Sequence, residues 1–295
     1  MIIHQPLKFN SYNKILQVIS LMVYINNMKK FLKFIFLIFL VVIIFSLVKS
    51  SSITGGVDDL IGLVFNKEKT DDMDELYKNI EKHKDDNEKI NWLYENFDSL
   101  TDSEIYLVGN DIDTCEFVYN LKNGIVDFEY YPGESVNYGR LTPYFLQWDN
   151  RWAYNNLGNS NIGFAGCGPT SMAMVLKRLN PNLDIIPLNI AQDAQSYMGS
   201  EGIEWKFFAD EANKYGHNIE NIENDKDAMI DALDRGSLIV SVNKGYFTLF
   251  GHILVIDSYK NGRFVINDPN SMKNSEKSWS YNSIKDQIAN IWLIY

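Results

Sequence analysis

The chain changes its pattern of apolar and polar positions several times, and each change predicts a different element. Phe34 to Val48 run fifteen residues without a charge, with Ser46 as the only polar position. Residues 67–90 are dominated by charge and predict a solvated helix. Ile90, Leu93, Phe97 and Leu100 then form an amphipathic stripe, and Ile112, Phe117 and Val118 mark a helix near 111–121. DFEYYPGE, 127–134, predicts extended chain ending in a turn. From Cys167 onward, Met172, Val175, Leu176 and Leu179 recur at helical spacing, which predicts a helix buried on one face. Residues 188–198, 204–215 and 225–236 predict further helices, the last closed by Gly236.

Beyond Gly236 the period shortens. SLIVSV predicts a strand, and GHILVIDSY and RFVINDP predict two more, joined through Asn261-Gly262, a strong tight-turn signal. These two form the arms of one antiparallel hairpin. KSWSYNSIKDQIANIWLIY predicts a short helix and a closing strand. Helices first and strands later indicate an α+β lobe pair.

Composition narrows this picture. A length of 295 residues allows one or two domains, and 46% apolar residues suffice for a core. A net charge of -11 argues against a nucleic-acid partner, because phosphate binding needs clustered Lys and Arg. Lys29, Lys30 and Lys33 flank the apolar run, so it predicts a cytoplasmic N-terminus and an exported remainder, with membrane contact through residues 31–48. The run is long for a signal core and short for a spanning helix. Its bulk and the absence of an A-x-A site favour an uncleaved anchor, with Val48 and Ser50 as small residues should cleavage occur. Met28-Lys29-Lys30 reads as a natural start, which makes the first 27 residues an upstream extension. The expected organisation is a tail and signal or anchor at 1–50, a linker and small helical region at 51–140, and a catalytic domain at 141–295. SSSITGGV, 50–57, is the flexible part of that linker. An inhibitory pro-segment, a spacer and an accessory lobe all fit the middle region.

Candidate chemistry starts at Cys167, set between Gly166 and Gly168 at the head of the strongest helical run. A thiol there lies at the positive end of the helix dipole, which favours thiolate. The glycines allow close approach of a substrate backbone, and Pro169 suits the first helical position. A buried structural cysteine is the rival reading. Of the four histidines, His4 precedes the apolar run, His83 lies in a charge run and His217 follows Gly216 at a helix end. His252 instead opens an apolar strand. Asp268, at the end of the other hairpin arm, can fix its ring; Asn267 is the rival but faces the opposite side of its strand. Nucleophile, base and orienter together activate a thiol. Gln147, 20 residues before Cys167, is a candidate oxyanion donor, with Asp149 as a weaker one. Tyr144, Phe145, Trp148 and Trp152 fit a core better than a substrate groove. Cys115 is expected to pack on a helix. No CxxC or paired-histidine motif suggests a metal, and no cofactor is expected.

The order Gln147, Cys167, His252, Asp268, carried by LQWDNRWAYNNLG, GCGPTSMAMVL, GHILVIDSY and INDP, resembles papain-like cysteine peptidases. It is most similar to the bacterial branch related to bacteriocin-processing, double-glycine peptidases, over residues 141–295. The resemblance implies a papain-like fold, in which a helical lobe headed by the cysteine helix packs on an antiparallel sheet carrying the histidine. It implies hydrolysis of a peptide or protein substrate through a thioester. Cys167 becomes the nucleophile, His252 the base and acid, Asp268 the orienter and Gln147 the oxyanion donor. The glutamine stands further from the cysteine than in papain. No transporter module follows, so coupling to export is not implied. An acyltransferase or amidase with the same triad, and a binding module retaining the fold, are the alternatives.

Overall fold

A computed structural model describes residues 66–200 and 202–295. The expected anchor at 31–48 and linker at 50–57 lie outside the described residues. The charge-rich stretch forms two helices rather than one. α1 (Met73–His83) starts at Asp72, whose carboxylate accepts the Glu75 N–H at 3.0 Å. α2 (Glu88–Glu95) starts at Asn87, which caps Lys89 and Ile90 in the same way. Nor are they simply solvated: Leu76, Ile80, Ile90 and Leu93 are buried. Their four- and three-residue spacings put one stripe of each helix into a core shared with Val108, Phe117 and Val118.

α3 (Asp102–Asn110) was not expected from the apolar pattern. Its signal is the reciprocal Thr101–Glu104 capping box, both halves of which form. A 3₁₀ turn, Ile112–Thr114, leads into α4 (Cys115–Lys122). Residues 127–134 carry neither helix nor strand, and the chain bends at Gly133, where a turn was expected.

α5 (Ile162–Ala165) is one turn long and is followed directly by α6 (Cys167–Leu179). Phe117 from α4 packs on Tyr154 and Phe164, with ring centroids 5.4 and 5.3 Å apart. A Cβ on Gly163 would lie 2.2 Å from the Phe117 ring, so only glycine fits there. The helical region and the segment entering α6 therefore share one core, and both lie in one compact unit.

α6 is buried on all sides from Gly168 to Leu176, Thr170 and Ser171 included, and not along a single stripe. Further helices follow, among them α7 (Pro187–Ala194), α8 (Lys206–Lys214) and α9 (Lys226–Leu233). The strands β1 (Ile219–Asn221), β2 (Ser237–Asn243), β3 (Gly251–Lys260), β4 (Arg263–Asn267), β5 (Ser278–Trp279) and β6 (Ile288–Ile294) form one antiparallel sheet. Their order is β1-β6-β2-β3-β4-β5.

Alternate positions supply the two faces of this sheet. Ile239, Ile253, Val255, Trp292 and Ile294 pack under α6, whereas Leu238, Val240, Leu254, Ile256 and Leu293 pack beneath the other face with Met229 of α9. Cover on both sides explains why GHILVIDSY reads as a continuous apolar run rather than an alternating one. No helix among the described residues is long and apolar enough to cross a membrane.

Candidate functional site

Cys167 is the first residue of α6, and Gly166 is its N-cap. Pro169 is therefore third in the helix, not first, still within the turn whose amides have no intrahelical acceptor. The two glycines serve packing. A Cβ on Gly166 would meet the Ile162 carbonyl oxygen at 2.4 Å, and one on Gly168 would meet Ile203 at 2.9 Å. They let α5 turn sharply into α6 and let the Met198–Ile203 hairpin lie against the helix head. Cys167 is partly exposed, while Ser171, one turn on, donates to the Ile253 carbonyl at 3.3 Å and ties α6 to β3.

His252 is the second residue of β3 and only 7% exposed. Its Nε2 lies 2.7 Å from Asp268 Oδ1, which leaves Nδ1 as the nitrogen for Cys167. Asp268 is fully buried and firmly held. Oδ1 also accepts the Asn270 N–H at 2.9 Å, and Oδ2 accepts Asn274 Nδ2 at 2.9 Å. Its backbone carbonyl accepts the Tyr144 hydroxyl at 2.7 Å, and its N–H donates to Ser275 Oγ at 2.9 Å. Asn267 faces away, donating to the Thr142 carbonyl and accepting from Arg140.

The meeting of His252 and Asp268 depends on a β-bulge. Lys260 pairs with Arg263, Tyr259 with Phe264 and Ser258 with Val265. The ladder then skips Asp257 and resumes with Ile256 on Ile266 and Val255 on Asn267. An unbroken ladder would set Asp268 opposite Val255, on the sheet face away from His252. The skipped residue shifts the register by one, continues the ladder to Asp268 beside Leu254, and returns the carboxylate to the histidine's face.

Asp257 is itself fully buried. It accepts the Thr142 N–H at 2.8 Å and the Ser258 hydroxyl at 2.8 Å, and its carbonyl accepts Arg178 Nη1 at 2.6 Å. Arg178 lies in the last turn of α6, so the helix that carries the thiol also clamps the bulge that aligns the other two groups.

Three opposing effects set the protonation of this cluster. Burial pushes the Cys167 thiol up, but the hydrogen bond and charge of His252, with the Ile253 and Gly168 N–H groups, hold it below the ordinary thiol value. Burial pulls the His252 ring down, but the Asp268 charge and its hydrogen bonds to Asp268 and Cys167 raise it to about 10. Burial likewise raises Asp268, and His252, Asn274 and the Asn270 N–H overcome it to keep the carboxyl low. The arrangement favours a thiolate beside an imidazolium.

Gln147 lies beside this cluster. Its Nε2 donates to the Gly163 carbonyl at 2.8 Å, with a longer contact of 3.4 Å to Phe164 O, and its backbone N–H donates to Pro269 O at 2.8 Å. It thus straps the chain just before Cys167 to the chain just after Asp268. Its Oε1 is buried without a partner. Asp149 is taken by Arg151 at 2.6 Å and Ser135 at 2.7 Å, a structural pair. Tyr144, Phe145 and Trp152 are buried core, and Trp148 is half-buried, donating to Asn270 O at 3.1 Å.

Cys115 is buried on α4, as expected, and His83 pairs with Asp86 at the surface. Sequence reading missed Asn274, Ser275 and the Asp257–Arg178 clamp. Only Asp257, an acid inside an apolar strand, left a visible mark. No group of His, Cys, Asp and Glu able to hold a metal ion occurs among the described residues.

Comparison with known proteins adds the following. The peptidase domain of Streptococcus ComA, a bifunctional ABC transporter in a quorum-sensing pathway, is 20% identical; the match covers 48% of this chain and 96% of that one, with a TM-score of 0.34. A double-glycine-motif protease from an AMS/PCAT transporter, solved with its leader peptide, is 19% identical over 54% and 95%, with a TM-score of 0.36. A C39-like peptidase from Bacillus anthracis is 13% identical over 52% and 94%, with a TM-score of 0.33. No curated protein matches the chain. Residues 142–295 match the Peptidase_C39-like family, a stretch that holds every member of the cluster around Cys167. The chain belongs to the Peptidase_C39-like family and is a cysteine peptidase of papain-like fold.

Proposed function

We propose that the chain hydrolyses peptide bonds with Cys167 as nucleophile, His252 as acid and base, and Asp268 as orienter. The supporting observation is the 2.7 Å contact of His252 Nε2 with the buried Asp268, which leaves the other ring nitrogen for the thiol that His252 perturbs. The thiolate sulfur attacks the scissile carbonyl carbon, and the carbonyl electron pair moves onto oxygen. The imidazolium gives its proton to the leaving nitrogen as the C–N bond breaks, and the amine departs. The neutral ring then takes a proton from water, whose oxygen attacks the thioester. As the C–S bond breaks, the acid product leaves and the thiolate–imidazolium pair is restored.

Asp268 keeps the ring in one orientation and favours its charged form. Amides at the head of α6 face the developing oxyanion. Gln147 contributes a second donor. Its amide carries two hydrogens, one held by Gly163 O, the other with only the 3.4 Å contact. Such bonds tighten when substrate binds. The catalytic region acts outside the cytoplasm, held at the membrane through residues 31–48; the uncharged run behind Lys29, Lys30 and Lys33 supports this.

Treating the full-length chain with a peptidyl vinyl sulfone and mapping the adduct tests the assignment. An adduct at Cys167, absent from His252→Ala, is expected. Labelling at Cys115 instead overturns it. Product analysis with added amines tells hydrolysis from acyl transfer.

A further inference from the structure

The family match begins at residue 142, yet residues from before it share a cleft with the segments that flank the reacting residues. A cleft of about 470 Å³ runs between α3 and the loop entering β3. Tyr106 and Leu107 form one side; Phe247, Leu249 and Phe250 form the other, with Phe164 at the end. Its lining is tied to the reacting groups through the chain. Phe250 stands two residues before His252, Phe164 three before Cys167, and Asn270, also on the wall, two after Asp268. Phe250 is 78% exposed, an unusual state for a large ring, and its nearest aromatic neighbour is Tyr106 across the cleft at 6.4 Å between centroids. The charged groups on the wall, Lys69 and Asp111, are paired with each other, so the cleft offers an apolar surface without a free charge.

Chemistry decides which part of a peptide lies here. The imidazolium must reach the leaving nitrogen, so the residues that depart with the amine lie on the histidine side of the sulfur. Phe247 to Phe250, one wall of the cleft, lead directly into the strand that carries His252, which ties the cleft to that side. We infer that it is a binding subsite for a large apolar side chain on the leaving-group side of the scissile bond, completed by α3. The inference rests on the peptidase reading and deepens it. It assigns to the helical region a part in substrate choice, which neither a pro-segment nor a spacer would have.

The test is digestion of a random peptide library by the full-length chain, with the newly formed N-termini identified by mass spectrometry. Leu, Met, Phe and Tyr should be enriched at the first or second residue after the cut. Phe250→Ala and Leu107→Asp should each reduce that enrichment about tenfold. Leu107→Trp, which fills the cleft, should move the preference toward small residues. Enrichment confined to the residues before the cut, or a preference unchanged in all three variants, overturns the subsite and leaves the peptidase standing. An uncut library with Cys167 still labelled by vinyl sulfone also overturns the subsite. An uncut library with Cys167 unlabelled removes the peptidase reading itself.

Discussion

Cys115 and Cys167 are each the first residue of a helix, yet their surroundings drive their thiols in opposite directions. Burial raises Cys115, and Asp113 and Glu116 add to it, against hydrogen bonds from the Asn87 side chain and the Glu116 N–H. Burial also raises Cys167, but a histidine backed by a buried carboxylate overrides it. A helix dipole is worth about 0.3–1 kcal/mol at a terminus. An adjacent opposite charge moves a pKa by about 1–3 units, or some 1.4–4 kcal/mol. Position at a helix head is thus common to both thiols and decides neither; the base decides.

The most severe test of this contrast exchanges the two thiols for alanine. Cys167→Ala should lower turnover by about three orders of magnitude or more, while Cys115→Ala should stay within about twofold of the parent. Equal losses in steady-state assays would erase the distinction. Next comes the bulge. Asp257→Val drops the carboxylate's bonds to Thr142 and Ser258 and lets residue 257 join the ladder opposite Ile266, which sets Asp268 opposite Val255 on the far face, so kcat should fall by about a hundredfold or more. Arg178→Met should fall less and should raise the pH at which Cys167 is alkylated, with partial recovery in Arg178→Lys. An Asp257→Val variant that keeps normal alkylation at low pH would show that the register does not matter.

Asp268→Asn should lower kcat less than His252→Ala and should reshape the pH profile. Turnover rises as Cys167 releases its proton to form the ion pair, below the ordinary thiol range, and falls as His252 loses its proton near 10. Without the Asp268 charge, His252 returns toward its usual value, so the alkaline limb moves to lower pH. Linkage has the same sign: the folded-state His252 pKa lies above the ordinary histidine value of 6.5. Its stabilising contribution is complete below 6.5 and is lost as pH rises through about 10. An alkaline limb that stays in place would separate Asp268 from the histidine. A smaller effect on turnover than at Asp268 is expected at Phe117, where truncation to alanine costs about 3–5 kcal/mol of stability, read by denaturant unfolding. Turnover at low temperature should fall by only a few-fold, because the ring supports Gly163 and not the reacting atoms.

Much of the site was legible because its signals are local. Cys167 heads an apolar helical run, His252 opens an apolar strand, and Asn261-Gly262 announces the turn between the strands, where Asn261 and Gly262 do take positive φ of 52° and 79°. The helical region was less legible. Charged residues outnumber the apolar residues of α1, so Leu76 and Ile80, four apart, were hidden in a stretch that reads as solvated. α3 was marked only by Thr101 and Glu104. The partners of Asp268 left no trace: Asn274 and Ser275 occupy MKNS, a polar stretch like any surface turn, yet both are buried against the carboxylate segment.

The chain by itself determined the elements, the thiol and the ring that activates it, because helix caps, tight turns and apolar periods depend on residues only a few positions apart. Tertiary structure alone decided that His252 and Asp268 share a face, that the glycines around Cys167 pack against Ile162 and Ile203, and that α3 walls the cleft. Side chains on a strand alternate with a period of two, so one looped-out residue exchanges the faces of everything beyond it. What holds Asp257 in that position is Thr142 and Arg178, 115 and 79 residues away along the chain.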